Sequence, residues 1–218
     1  MSIDRLRALQ RENDRKGLDM DLERGRFAAL AARHADGTAP RAVSSFNLFQ
    51  TPEPIARRMA ALFADRAKPG DRVLEPSAGL GRLFLPLYDL WGSSATYTLV
   101  DNSTECLAEL FRVTDRRPGA KLKAGDFLEM TSADLGGLFD AVVMNPPFKQ
   151  GRDIKHIKHA ASMLAPGGLL VALCYDGVRQ NDKLKPLSNT WERLPKGSFK
   201  AEGTGADVAL LTIRKGKA

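Results

Sequence analysis

The sequence predicts an α/β fold: a seven-stranded, mostly parallel sheet with helices on both faces, preceded by a helical N-terminal extension. Three observations carry this. From Thr51 to Ile213, short apolar runs alternate with stretches of helical spacing, which is the pattern of strand–helix–strand units. Turns rich in Pro and Gly separate them, such as Lys68-Pro69-Gly70-Asp71 and Pro166-Gly167-Gly168. The chain has 218 residues, 43% hydrophobic and 27% charged, which fits one large globular domain with a sizeable core.

Residues 1–45 read as a charged helical arm. Leu6, Leu9 and Asn13, then Phe27, Leu30 and Ala31, keep helical spacing before a loop through Gly37-Thr38-Ala39-Pro40. Residues 46–218 form the main domain. Thr51 is expected to cap a helix, with Pro52 at its first position, Glu53 in its first turn, and Ile55, Met59, Leu62 and Phe63 on one face. Arg72–Glu75 is the first strand, followed by the loop Pro76-Ser77-Ala78-Gly79-Leu80-Gly81 and a helix to about Tyr88. Thr96–Val100 is the second strand, Ser103–Val113 a helix, Lys121–Ala124 the third strand and Asp140–Met144 the fourth. Ile154, Ile157, Ala161 and Leu164 stripe a helix that Pro166-Gly167-Gly168 should terminate. Leu169–Cys174 is the fifth strand. Trp191–Leu194 and Val208–Ile213 complete the sheet, and the span Gly177–Asn189 is too short and broken for a full crossover helix.

The net charge is +7, which permits a polyanionic partner; each basic cluster taken singly also reads as a solvated face. No apolar run is long enough to span a membrane, and the first residues lack the apolar centre of a signal peptide. The only cysteines, Cys106 and Cys174, support neither a disulfide nor a metal framework, so a reducing cytoplasm is expected. His156 and His159 are three apart on a helix without a third ligand, and read as surface histidines rather than a metal site. Trp91 and Trp191 read as packing residues.

The chemistry concentrates at strand ends. Glu75, Asp101, Asp126 and Asn145 each fall at or just after the carboxyl end of a strand, where ligands bind in open α/β sheets. The glycine loop lacks the Gly-Lys-Ser/Thr of a Walker loop, and Phe84 stands where a dinucleotide fingerprint needs Gly or Ala. Glu75 beside it would repel a pyrophosphate and suit a cation such as a methionine amino group. Asp101 is placed for a ribose diol, and Asp126 with Phe127 for an adenine amine and ring. Amino acid, ribose and adenine together describe S-adenosyl-L-methionine. In Asn145-Pro146-Pro147-Phe148, the amide oxygen and the Pro146 carbonyl can accept both hydrogens of one –NH2 group, while Phe148 offers a stacking face. Lys149 and Arg152 lie close enough to hold a phosphate.

On these residues the sequence resembles the class I S-adenosylmethionine-dependent amino-methyltransferases of the nucleic-acid adenine type, over about residues 46–214. The resemblance implies a Rossmann-like domain with S-adenosyl-L-methionine as cofactor. It implies that Phe49-Gln50-Thr51-Pro52 closes over the methionine end. Glu75, Pro76, Ser77, Ala78, Gly79 and Gly81 would form the cofactor loop, Asp101 with Asn102 would hold the ribose, and Asp126 with Phe127 the adenine. Asn145-Pro146-Pro147-Phe148 matches the catalytic motif, with Asn145 also beside the cofactor. Phe199, followed by Lys200, resembles the later loop whose aromatic packs against a flipped base. The motif order is that of gamma-type DNA enzymes, so methylation of adenine N6 in DNA is expected. Gamma-type enzymes carry a target-recognition domain after the core, and none is expected between the core and Ala218. An RNA-base methyltransferase, a protein glutamine methyltransferase and a non-catalytic nucleic-acid-binding module on the same fold are the alternatives.

Overall fold

The computed structural model describes residues 49–66 and 68–217, all within the compact unit Ser44–Ala218. The arm expected over residues 1–45 lies outside the described residues. Seven strands form one sheet: β1 (Arg72–Glu75), β2 (Thr96–Asp101), β3 (Ala120–Ala124), β4 (Phe139–Met144), β5 (Leu164–Tyr175), β6 (Thr190–Arg193) and β7 (Val208–Arg214). Their order is β3-β2-β1-β4-β5-β7-β6. The first five run parallel to one another, and β7 runs antiparallel to both β5 and β6. The helices are α1 (Glu53–Ala61), α2 (Phe84–Trp91), α3 (Thr104–Thr114), α4 (Arg152–Ser162) and α5 (Val178–Lys183). Among the described residues no helix is long and apolar enough to cross a membrane.

Side-chain alternation splits the core into two layers. Val73, Leu99, Ala141, Val143, Leu169, Val171 and Leu173 face one side of the sheet, where Met59 of α1, Phe84 and Leu87 of α2 and Leu110 of α3 cover them. Leu74, Val100, Val142, Met144, Leu170, Ala172 and Cys174 face the other, against Ile154, Ile157 and Ala160 of α4. Truncating a fully buried leucine such as Leu74 to alanine costs about 2–5 kcal/mol.

Two expected boundaries move. Pro52, not Thr51, caps α1: its carbonyl accepts from the Ile55 and Ala56 N–H groups, while Thr51 is buried. The helix ends at Ala61, so Leu62 is left exposed while Phe63 stays buried. The Pro166-Gly167-Gly168 run does not end a helix either. Helix α4 stops at Ser162, and Leu164 already belongs to β5, paired with Phe139. The register shifts between Phe139 and Ala141, and a Cβ on Gly168 would lie 2.9 Å from the Phe139 carbonyl oxygen. The glycine is therefore there to let two backbones approach inside a bulged strand pair.

Candidate active site

The carboxyl ends of β1 to β4 open into one cleft of about 350 Å³, within the size range of small-molecule sites. Pro76, Ser77 and Gly79 line it from the β1 loop, Asp101 and Asn102 from β2, and Asp126 and Phe127 from β3. Asn145, Pro146, Pro147, Phe148, Lys149 and Arg152 line it after β4, and Phe49 from the segment before α1. Sequence-distant residues thus converge because parallel strands all point their carboxyl ends the same way.

The carboxylates are held by backbone N–H groups. Asp101 Oδ2 accepts from Gly79 N at 2.8 Å and Oδ1 from Ser103 N at 2.9 Å, which clasps the β1 loop to the start of α3. Glu75 is 2% exposed and lies beneath the cleft rather than in its wall. Burial, then the Asp101 charge, pushes its carboxyl well above the usual range, and the N–H groups of Phe84 and Leu83 at the start of α2 pull it back. Its Oε2 has no hydrogen-bond partner among the described residues. An orphan carboxylate oxygen beneath a glycine loop suits a cation, so the donor set fits a methionine amino group above it.

Asp126 Oδ1 accepts from Leu128 N at 3.0 Å, and Oδ2 pairs with Arg152 at 2.8 Å. Desolvation raises the Asp126 pKa, but the Arg152 hydrogen bond, the Leu128 N–H and the guanidinium charge outweigh it and hold the group low. Each oxygen keeps a second lone pair for a ligand amine. The guanidinium expected to hold a phosphate is thus committed to Asp126 inside the cleft.

By strand alternation Asn145 falls on the same side of the sheet as Ala141 and Val143. Its Nδ2 donates to the Phe49 carbonyl at 3.0 Å. That bond fixes the amide plane and leaves Oδ1 as the outward acceptor. Among the described residues neither Asn145 Oδ1 nor the Pro146 carbonyl accepts a hydrogen bond. The turn that follows is left-handed at both Gln150 (φ 58°) and Gly151 (φ 73°).

Other sequence-identified residues do not reach the cleft. Gln50 accepts from Arg82 Nε at 2.6 Å, which pins the Phe49 segment to the glycine loop. Thr51, Pro52, Ala78 and Gly81 lie outside the cleft lining; Ala78 N donates to Val100 O. Phe199 is 1% exposed and packs in the same core layer as Leu194 and Val208, so its ring is unavailable to a base. The aromatic anchors its loop to the core. Lys200 beside it is exposed and away from the cleft wall.

Gly125, Gln150 and His156 line the cleft without having been singled out as ligands. His156 is not a surface histidine: it is 4% exposed, its Nδ1 lies 3.3 Å from the Ser77 hydroxyl, and its Nε2 is unpartnered among the described residues. Burial, then the Arg152 charge, pushes it down to about 4. His159 packs edge-on against Phe127 at 4.8 Å and reaches the Met130 carbonyl. Helical spacing held the signal: His156 stands on the buried stripe with Ile157 and Ala160.

Comparisons with known proteins bear on the fold. A type I restriction-modification system methyltransferase subunit from Streptococcus thermophilus superposes with a TM-score of 0.68 at 19% identity, over 80% of this chain and 46% of that one. An rRNA methylase from Streptococcus thermophilus gives 0.55 at 13% identity, over 78% and 99%. The N-methyltransferase NodS from Bradyrhizobium japonicum, in complex with S-adenosyl-L-homocysteine, gives 0.57 at 17%, over 75% and 85%. The chain spans 45–63% of the length of several larger neighbours. At these identities the likeness establishes the fold. No curated protein matches the chain. The Methyltransferase small domain family matches residues 59–199, and with the homocysteine-bound neighbour it indicates S-adenosyl-L-methionine as the cofactor. The chain therefore belongs to the Methyltransferase small domain family, on the seven-stranded Rossmann-like fold of class I S-adenosylmethionine-dependent methyltransferases.

Proposed function

We propose that this protein methylates the exocyclic amine of a nucleobase, adenine N6 in DNA, in the cytoplasm. The observation that carries the reading is the Asn145 amide, tied through Nδ2 to the Phe49 carbonyl with its oxygen left beside the Pro146 carbonyl at the cleft. The bound cofactor supplies a sulfonium methyl, an electrophile without need of a metal. Asn145 Oδ1 and the Pro146 carbonyl accept the two amine hydrogens. Those bonds draw the nitrogen towards tetrahedral geometry and localise its lone pair. They strengthen as positive charge grows on nitrogen, which is differential stabilisation of the transition state. Phe148, half-buried against the core, offers a face for the base and fixes its plane. No strong base is needed, because the methylated cation is acidic. A base in a duplex has to leave the stack to reach this depth.

On the cofactor side, Asp101 with Asn102 takes the ribose and Asp126 with Phe127 the adenine. The Pro76–Gly81 loop and Glu75 hold the methionine end, under Phe49, Gln50, Thr51 and Pro52. The net charge of +7 and the likeness to methyltransferases whose names specify a restriction-modification system or rRNA support nucleic acid as the substrate; DNA is this reading's own choice within it. The likeness to an rRNA methylase makes RNA the arm to run beside it. Radiolabelled methyl transfer to DNA, RNA and protein, side by side, tests the reading. Label in N6-methyladenine of DNA is the expected result, and label in protein alone overturns it.

A further inference from the structure

We propose that Tyr175 and Arg179 form a landing surface for the nucleotide next to the target base on an unpaired nucleic-acid strand. The inference rests on the nucleobase-amine reading of the cleft and adds the form of substrate it takes. Strand β5 is buried from Leu169 to Cys174, then ends in a tyrosine that is 41% exposed. Met144 pairs with Ala172, so three residues further along each chain lie Pro147 and Tyr175. Leu169, Val171 and Leu173 face the core layer against which Phe148 packs; by alternation Tyr175 belongs on that same side.

The ring is held in place. A Cβ on Gly177 would lie 2.7 Å from Tyr175 Cε1 and 2.8 Å from Cδ1, so the ring rests on bare glycine backbone. Arg179, two residues on, sits against the catalytic turn: its guanidinium lies 3.3 Å from where a Gly151 Cβ would be. Among the described residues Arg179 and Lys149 pair with no carboxylate. The nearby acid Asp176 is paired with Arg193 at 2.8 Å. Val178 beside Arg179 is 81% exposed.

A buried clasp fixes this surface to the cleft. Asp153, fully buried in the first turn of α4, accepts from Tyr175 N at 3.1 Å and from Gln180 Nε2 at 2.9 and 3.1 Å. One carboxylate thus joins the start of α4, the end of β5 and helix α5. An exposed aromatic face beside unpaired cations matches an unstacked base and its phosphate. A duplex, whose bases cover one another's faces, offers no partner for the ring.

The test is binding of short labelled DNA and RNA single strands, and of the matching duplex, to the full chain saturated with S-adenosyl-L-homocysteine. Tyr175→Ala should weaken single-strand binding about 5- to 150-fold, the range of one base–aromatic stack, and raise KM for the strand while kcat stays within about two-fold. Tyr175→Phe should bind like wild type, and Gly177→Ala, which displaces the ring, like Tyr175→Ala. Arg179→Ala should flatten the salt dependence by about 0.7 in log–log slope. Unchanged binding by Tyr175→Ala, or a duplex bound as tightly as the strand, overturns the proposal. If wild type methylates nucleic acid and Tyr175→Ala does so equally well, only this inference fails. If wild type methylates no nucleic acid, the amine-acceptor reading fails with it.

Discussion

At the ends of β1, β2 and β3 the carboxylates are largely engaged: Asp101 by two backbone N–H groups, Asp126 by one and by Arg152, Glu75 by the first turn of α2, which leaves its Oε2 unpartnered among the described residues. At the end of β4 the opposite holds. The Asn145 amide spends its N–H on Phe49 and keeps its oxygen, and the Pro146 carbonyl stands beside it unclaimed among the described residues. The side assigned to the cofactor is a preformed clasp whose work is binding. The side assigned to the acceptor holds unspent hydrogen-bond capacity, realised only when an amine arrives. Binding and turnover should therefore separate by mutation.

The sharpest break is Asn145→Ala. It removes one of the two acceptors proposed to stabilise developing charge, and losses of such preorganised groups run to about 10²–10³-fold in kcat. We expect kcat to fall at least 10²-fold while S-adenosyl-L-homocysteine affinity, read by calorimetry, stays within a few-fold. Equal losses in both would erase the distinction between the two sides. The converse is Asp101→Asn. An amide N–H turned towards the Gly79 or Ser103 N–H undoes a charge-assisted bond worth about 1.5–3 kcal/mol. Cofactor affinity should weaken about 10- to 100-fold, with kcat at saturation nearly kept.

The two sides also differ in how far they could be read from sequence. Strand ends are legible because an apolar run stopping at Glu75, Asp101, Asp126 or Asn145 gives both the element and its terminus. What hangs on tertiary neighbours is not. Nothing in the order of residues says that Arg152 turns back to Asp126, or that Glu75 sinks beneath its loop. Nothing says that Phe199 faces the core, because a lone aromatic in a polar loop carries no period. His156 was readable in principle from its place on the α4 stripe, but a histidine on an amphipathic helix borders both faces. Pro166-Gly167-Gly168 misled for a related reason: glycine pairs mark helix ends and strand bulges alike, and only the approach of the Phe139 carbonyl decides.

His156 links the two sides, touching Ser77 of the cofactor loop from the helix that follows the acceptor motif. Its pKa is depressed from 6.5 to about 4. The folded state therefore resists a proton that the unfolded chain takes up, so its contribution is intact above about pH 6.5 and is lost as pH falls towards 4. Between pH 7 and 5 this amounts to about 2 kcal/mol. Glu75 and Asp153, whose pKa values are raised, act in the opposite sense. The His156 contribution is thus read as the difference in urea midpoint between wild type and His156→Gln across that range. Parallel pH profiles for the two proteins would remove His156 from the account.

The smallest effect concerns the turn that joins the acceptor motif to α4. Gln150 is the one described residue other than glycine with a positive φ, at 58°, a left-handed conformation that costs a residue with a Cβ about 1 kcal/mol. Its neighbour Gly151 is left-handed too, so the chain makes two such steps in succession before the helix begins. Gln150 is exposed and lines the cleft mouth, where its amide can meet the edge of an entering base. Gln150→Gly should relieve the strain and raise stability by about 0.5–1 kcal/mol in denaturant melts. If the amide meets the substrate, the same variant raises KM for the strand several-fold with kcat and cofactor affinity unchanged. A variant that gains stability and keeps KM would mean that the strained turn serves only to start α4, leaving base contact to Phe148 and the two acceptors.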